Sequence, residues 1–161
     1  MRRLFLISCI IFFGVAAVFT ASAQTVSAEA TANVAAMLVK FPAGGLALTN
    51  AIVAAVEADP ALARAAAAAA TSATAVQQQS IGSGLAAAAI FFGDAAAGGG
   101  TGAAAARRTQ QEIQTATASA PALAQTAFAT YSVALSNTAS NGRGTDQCVS
   151  PSRGHGNCNN P

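Results

Sequence analysis

Alanine dominates this sequence and limits what it can fold into. From Gln24 to Pro161, alanine fills 41 of 138 positions. Alanine has the highest helix propensity, but its methyl group buries little area, so packing depends on the larger apolar residues. These occupy 18 positions between Gln24 and Phe92 and seven after Phe92, counting Tyr131. We therefore expect an all-α protein whose N-terminal half holds a small core and whose C-terminal half is marginal alone.

The larger apolar residues recur at steps of three and four, which places one apolar stripe along each helix. Leu48, Ile52 and Val56 form one such series. No stretch alternates as a half-buried strand would. Short connections favour antiparallel neighbours. The pattern predicts a small irregular bundle of antiparallel helices at 26–40, 45–58, 60–72, 75–97, 103–118 and 121–137.

Capping residues mark several of these helix starts. The letters PALA occur twice, and in each copy the proline, Pro60 or Pro121, suits the first position of a helix. Asp59 can cap the first copy, and Thr74 with a glutamine three residues later fits a capping box. The glycines at 82 and 84 would weaken a helix, and they indicate either a tight helix crossing or a local kink.

The first 23 residues have the layout of a secretory signal peptide. Two arginines precede a mostly apolar run from Leu4 to Phe19, and Ala21-Ser22-Ala23 offers small residues for cleavage before Gln24. A retained membrane helix is the alternative, but the run is short for a span and no charged stop-transfer segment follows. The pattern predicts a secreted protein, either periplasmic or extracellular.

Cleavage changes the charge and the cysteine count. Net charge falls from +2 to 0 because Arg2 and Arg3 leave, so no positive field remains to attract nucleic acid or an anionic membrane. Two cysteines remain, Cys148 and Cys158, and an even pair in an exported chain predicts a disulfide. His155 lies between them, so these three residues could act as soft metal ligands. No fourth ligand is evident, and the sequence therefore favours the disulfide over a zinc site.

Composition divides the chain into segments. The C-terminal part is rich in Ser, Asn, Gly and Pro, and it is predicted to be disordered. A run of glycines predicts a flexible linker between two helical parts. The predicted segments are the signal peptide 1–23, a helical bundle 24–97, the linker 98–102, a helical hairpin 103–138 and a tail 139–161 that carries the disulfide.

Few residues offer catalytic chemistry. Glu57 and Asp59 are two positions apart and do not face one cleft, and Asp59 already serves as a cap. The linker spells G-x-G-x-x-A from Gly100, but a dinucleotide site needs a strand before that turn. We expect a non-enzymatic protein without a metal or cofactor. The most apolar local run, Ile90-Phe91-Phe92, is the candidate partner patch, with core packing as the alternative.

The segment from Phe41 to Ala89 resembles small secreted alanine-rich proteins of bacteria. The resemblance rests on ADPALA, the alanine run after it, and AVQQQSIGSGLA at 75–86, where Ala75 stands in place of a proline that the family favours. It covers about 50 residues. It implies an exported helical bacterial protein and supplies no activity or site residues.

Together these patterns lead us to expect an exported, non-enzymatic helical protein of the cell envelope or exterior, with an interaction or structural role. A protein partner or self-association fits this role, whereas nucleic acid and a stable membrane span after cleavage do not. The alternative is a membrane-active or surface-assembling helical protein that uses Ile90-Phe91-Phe92 and its alanine helices.

The cleavage site gives a direct prediction. In Ala21-Ser22-Ala23 the outer two positions must be small, whereas the middle position varies. We expect Ala23→Arg to prevent cleavage before Gln24, while Ser22→Arg, with the same added charge, is still processed. The intact mass of the exported chain measures both. Equal processing of the two variants would contradict the predicted site.

Overall fold

A computed structural model describes residues 26–142 of the chain. The described part is all-α, which confirms the predicted helical bundle. The signal segment, Cys148, Cys158 and His155 lie outside it. The helices are α1 (Ala28–Lys40), α2 (Gly45–Ala58), α3 (Leu62–Ala69), α4 (Ala75–Ala97), α5 (Ala103–Ala118) and α6 (Ala122–Gly142), and a 3₁₀ turn at Ala70–Ser72 follows α3.

Local capping explains where several helices begin. The Ser27 side chain accepts a hydrogen bond from the Ala30 amide at 3.0 Å, so α1 starts just after it. The predicted capping box of α4 is present. The Gln77 amide donates to Thr74 Oγ1 at 3.3 Å, and the Thr74 amide donates to Gln77 Oε1 at 3.1 Å.

Several helix boundaries differ from the sequence prediction. The first helix begins at Ala28 rather than at 26, and the third ends at Ala69, before the 3₁₀ turn, rather than at 72. The third helix begins at Leu62 rather than at 60, because Asp59 Oδ1 accepts from the Ala61 amide and closes a turn before the helix. The last helix runs to Gly142 rather than stopping at 137. No proline or glycine interrupts the segment after Pro121 until Gly142, so no residue with a strong helix-breaking tendency ends it sooner.

The longest helix, α4, lies at the centre of the fold. Helices α2, α5 and α6 pack along it, while α3 packs between α1 and α5. Few large side chains are fully enclosed, and alanine methyls fill the space between them. The largest fully buried side chains are those of Leu48, Ile52, Ile81, Leu85, Ile113, Val34 and Val56.

Most helices do not pack mainly against the helix that precedes or follows them in the chain. Helix α1 contacts α3 more extensively than α2, and α2 contacts α4 more than α3. Helices α5 and α6, predicted as a hairpin, touch each other briefly and pack along α4 instead. Ile113 and Ala124 therefore belong to the same core as the N-terminal helices. A 23-residue helix offers more surface than any neighbour, which is why the others gather on it.

Two glycines allow this close packing. A Cβ added at Gly82 would overlap the carbonyl oxygen of Ala124 on α6. A Cβ added at Gly84 would lie 2.9 Å from the Ile52 side chain and 2.9 Å from the Thr49 carbonyl oxygen on α2. Because α4 continues unbroken through both positions, the glycines mark tight helix crossings and not a kink.

Substitution of these glycines tests the packing. We expect Gly82→Ala to lower the free energy of unfolding by roughly 1–3 kcal/mol, because the new methyl meets backbone that cannot move aside. Gly93→Ala on the same helix is the control. Its Cβ would meet only the end of the flexible Gln110 side chain, so the gain in helix propensity, up to about 1 kcal/mol, can offset the contact. Urea unfolding followed by circular dichroism measures both, and equal stabilities would contradict the close crossing.

Candidate binding groove

A buried polar cluster fixes the first two helices against the start of α4. Gln77 is almost fully buried, and its side-chain amide donates to the Leu38 carbonyl at 2.9 Å and to the Phe41 carbonyl at 3.2 Å. The same side chain accepts the capping hydrogen bonds of Thr74. One glutamine thus joins the end of α1 to the first turn of α4.

A second pair of polar side chains positions α2. Ser80 Oγ accepts from the Gly45 amide at 2.7 Å and donates to the Val76 carbonyl at 2.9 Å. Thr49 Oγ1 lies 3.2 Å from the Gly45 carbonyl and 3.3 Å from the Ser80 carbonyl, both of which can accept its proton. These contacts hold the first turn of α2 beside the N-terminal half of α4.

An open groove lies above this cluster, between the first turns of α2, the N-terminal half of α4 and helix α6. One part, of about 340 Å³, separates α4 from α6, and an adjoining part of about 260 Å³ separates α2 from α4. Gln79, Ser83 and Tyr131 line both parts. We call this surface the uncharged groove. Its other lining residues are Gly45, Leu46, Thr49, Val76, Ser80, Leu123, Thr126, Ala127, Thr130 and Ala134.

The lining combines apolar rims with hydroxyl and amide groups. Leu46, Val76 and Leu123 are large apolar side chains that are 73%, 51% and 43% exposed. The hydroxyl of Thr130 already donates to the Thr126 carbonyl at 2.9 Å. No lining residue carries a charge at neutral pH, and the nine charged side chains between residues 26 and 137 all lie elsewhere. The groove therefore suits an uncharged, largely apolar occupant.

The sequence-predicted patch lies on the other half of α4. Phe91 is 49% exposed, whereas Ile90 and Phe92 are partly buried and Phe92 packs against the core. The rings of Phe91 and Phe92 meet edge to face with their centroids 5.3 Å apart. One aromatic ring is thus available on this surface, and the role of Ile90-Phe91-Phe92 in partner binding stays a prediction.

The other residues weighed for chemistry are not brought together. Glu57 and Asp59 are both exposed at the end of α2, and Asp59 caps the turn that follows. The segment 98–102 joins α4 to α5, with helix on both sides of it. Between residues 26 and 142, no group of three or more His, Cys, Asp or Glu residues could hold a metal ion. Ala23, Gln24, Cys148 and Cys158 lie outside the described residues.

One described helix, α4, has the length and apolar composition to cross a membrane. Half of its apolar window is buried among the other helices of the bundle. The central core helix of a folded protein has the same features, so α4 gives only weak support for a membrane span.

The sequence did hold a signal for the groove. Leu123, Thr126, Thr130 and Ala134 recur at steps of three and four, so they lie on one face of α6. This face is mixed in polarity, and the apolar stripe of Ala124 and Phe128 beside it is the one that packs inward. The apolar steps of this helix, Ala124, Phe128, Tyr131 and Leu135, therefore predict its core face and include Tyr131 of the groove without predicting the groove.

Comparison of the chain with protein-family models, curated proteins and solved structures found no match. The resemblance to secreted alanine-rich proteins of bacteria stays a prediction.

Substitution of Gln77 tests the polar cluster beneath the groove. Gln77→Ala takes away the donor of the Leu38 carbonyl and one of the two donors of the Phe41 carbonyl, which keeps the Gly44 amide, and it removes half of the capping box. We therefore expect the free energy of unfolding to fall by roughly 1–3 kcal/mol. Gln79→Ala, an exposed glutamine on the same helix, should change it by less than about 0.5 kcal/mol. Thermal and urea unfolding measure both variants. A Gln77 variant as stable as the Gln79 variant would show that the cluster does not hold the helices together.

Proposed function

We propose that this chain is an exported, non-enzymatic helical protein of the bacterial cell envelope or exterior, and that it acts by binding an uncharged, largely apolar partner surface in the uncharged groove. The observation that carries the proposal is the groove itself. It joins three helices, exposes three large apolar side chains and has no charged group along its lining.

Charge gives the groove its selectivity. A charged group placed against it would lose water and gain no opposite charge, which costs several kcal/mol in a buried setting. An apolar surface that covers Leu46, Val76 and Leu123 removes these side chains from water. This burial stabilises the complex by about 25 cal/mol per Å² of apolar area. The groove therefore favours neutral apolar occupants mainly by rejecting charged ones.

The chemistry of the lining supports binding over catalysis. Its hydroxyl groups come from serine, threonine and the single tyrosine, Tyr131. The lining of the groove contains no histidine or carboxylate that could act as the base for such a hydroxyl. A binding role needs no such base, because the hydroxyl groups then serve only as uncharged polar groups among apolar side chains.

The sequence before the described residues supports export. The arginines at 2 and 3, the apolar run and the Ala21-Ser22-Ala23 site together have the order of a secretory signal. Export places the groove in the periplasm or outside the cell, where envelope proteins and lipids offer neutral apolar surfaces. The membrane-active alternative instead uses Ile90-Phe91-Phe92 and the alanine helices, with lipid as the partner.

A neutral apolar probe tests the groove directly. We expect the uncharged dye phenylnaphthylamine to bind the protein isolated after expression of the full sequence, with a rise in dye fluorescence. Thr130→Glu places a carboxylate in the groove and should weaken this binding at least tenfold, which corresponds to about 1.4 kcal/mol.

Thr115→Glu on α5 is a closely matched control. Thr115 and Thr130 are both exposed, and each hydroxyl donates to the carbonyl four residues earlier, at 2.8 and 2.9 Å. The control should bind the dye as the parent protein does. Equal loss in both variants, or no binding by the parent, would overturn the proposal. Co-sedimentation with neutral phospholipid vesicles, blocked by Thr130→Glu alone, would identify lipid as the partner.

A further inference from the structure

Helix α1 is the most weakly packed helix of the described bundle. It packs mainly against α3 and touches α2 only briefly, so its contact with the rest of the fold is less extensive than that of any other helix. Of its 13 residues, Ala30 and Val34 are buried, whereas the shorter α3 buries most of its residues. Low contact density and little buried apolar area are the features of a segment that opens before the rest of a protein.

The side chains that α1 packs against are small. The buried residues of α3 are alanines apart from Leu62, and a methyl group offers little area for burial. On α1 itself, Met37 and Leu38 are only partly buried against the core. Val34 is the one large side chain of α1 that is fully enclosed. Its packing therefore supplies much of the free energy that holds α1 on the bundle.

The hydrogen bonds that join α1 to another helix lie at its C-terminal end. The Gln77 side-chain amide on α4 donates to the carbonyls of Leu38 and Phe41 at 2.9 and 3.2 Å. At the other end, the Ser27 side chain accepts from the Ala30 amide within the helix itself. Helix α1 is thus fixed to α4 at one end and held along its earlier turns mainly by apolar contact.

A released α1 would unfold, whereas α2 has its own anchor. Isolated helices shorter than about 12–15 residues are marginal in water, and α1 has 13 residues. The connection to α2 passes through Gly44 and Gly45, whose φ angles are 65° and 72°. The Gly45 amide donates to Ser80 Oγ on α4 at 2.7 Å. This hydrogen bond holds the start of α2 in place when α1 leaves.

We infer that α1 is a strap that opens independently of the bundle. Its turns from Ala28 to Met37 detach and unfold, while α2 to α6 stay packed and Gln77 keeps the end of the strap attached. The open state uncovers the alanine face of α3, an apolar surface that the closed bundle hides. This surface is distinct from the uncharged groove, because no residue of α1 or α3 lines the groove.

Hydrogen exchange of the backbone amides tests the strap. The protein isolated after expression of the full sequence is exchanged under native conditions, and its peptides are analysed by mass spectrometry. The helical amides of α1 should exchange at least about a hundredfold faster than those in the middle of α4, because opening of the strap requires far less unfolding than exposure of the central helix.

Two matched substitutions show whether α1 opens alone. Val34 on α1 and Val56 on α2 are enclosed valines, with exposed fractions of 0% and 1%. Val34→Ala should speed the exchange of α1 about tenfold, because it weakens the contact that opening breaks. Val56→Ala should leave the exchange of α1 unchanged, because Val56 stays packed when the strap opens. It should still speed the slowest amides of α4, which exchange only when the whole bundle unfolds.

A bundle that unfolds as one unit would give a different pattern. The amides of α1 and α4 would then exchange at similar rates, and both variants would speed α1 equally. Either result would overturn the inference, as would an α1 that does not respond to Val34→Ala. This variant should also bind phenylnaphthylamine as the parent protein does. Loss of dye binding in Val34→Ala alone would show that the opening extends to the groove helices and is not confined to α1.

Discussion

The close approach of backbone to backbone at Gly82 and Gly84 sets the distances on which the rest of this fold depends. The two glycines lie close together on α4 but meet different helices, α6 at Gly82 and α2 at Gly84. A side chain at either position would push a neighbour outward and open the core, which has few large residues to fill the gap. The groove has its width for the same reason, since α2 and α6 form its sides.

The high alanine content of the chain both allows and requires this close packing of helices. A methyl group contributes little burial on its own, so an alanine-rich bundle gains contact mainly by bringing helices close enough for many small dispersion interactions. The seven large enclosed side chains supply the larger apolar contacts of this core. Polar anchors at Gln77 and Ser80 fix the helix ends, where alanine provides almost no side-chain contact. All buried side-chain polar atoms of the described residues have hydrogen-bond partners.

The sequence predicts the features of the fold that depend on residues close together in the chain. Helix positions and the capping box at Thr74 follow from propensity, periodicity and the amides that each helix start leaves free. Which helices pack against each other does not follow from the sequence in this way. The alanine stripes of different helices are chemically similar, and only the glycine contacts distinguish them. The sequence allows either a tight crossing or a kink at Gly82 and Gly84, and the structure shows the crossing. The groove cannot be predicted from apolar periodicity, because its lining mixes threonine, serine and leucine, whereas Ile90-Phe91-Phe92 on the other half of α4 is locally apolar.

An alanine-based core also affects how stability responds to temperature. The heat capacity of unfolding rises with the apolar area that becomes exposed and falls with the polar backbone area exposed beside it. On unfolding, each alanine exposes one methyl group together with a full peptide unit. This chain therefore exposes less apolar area per residue than a protein whose core is made of leucine and isoleucine. Its free energy of folding should therefore vary gently between cold and warm conditions.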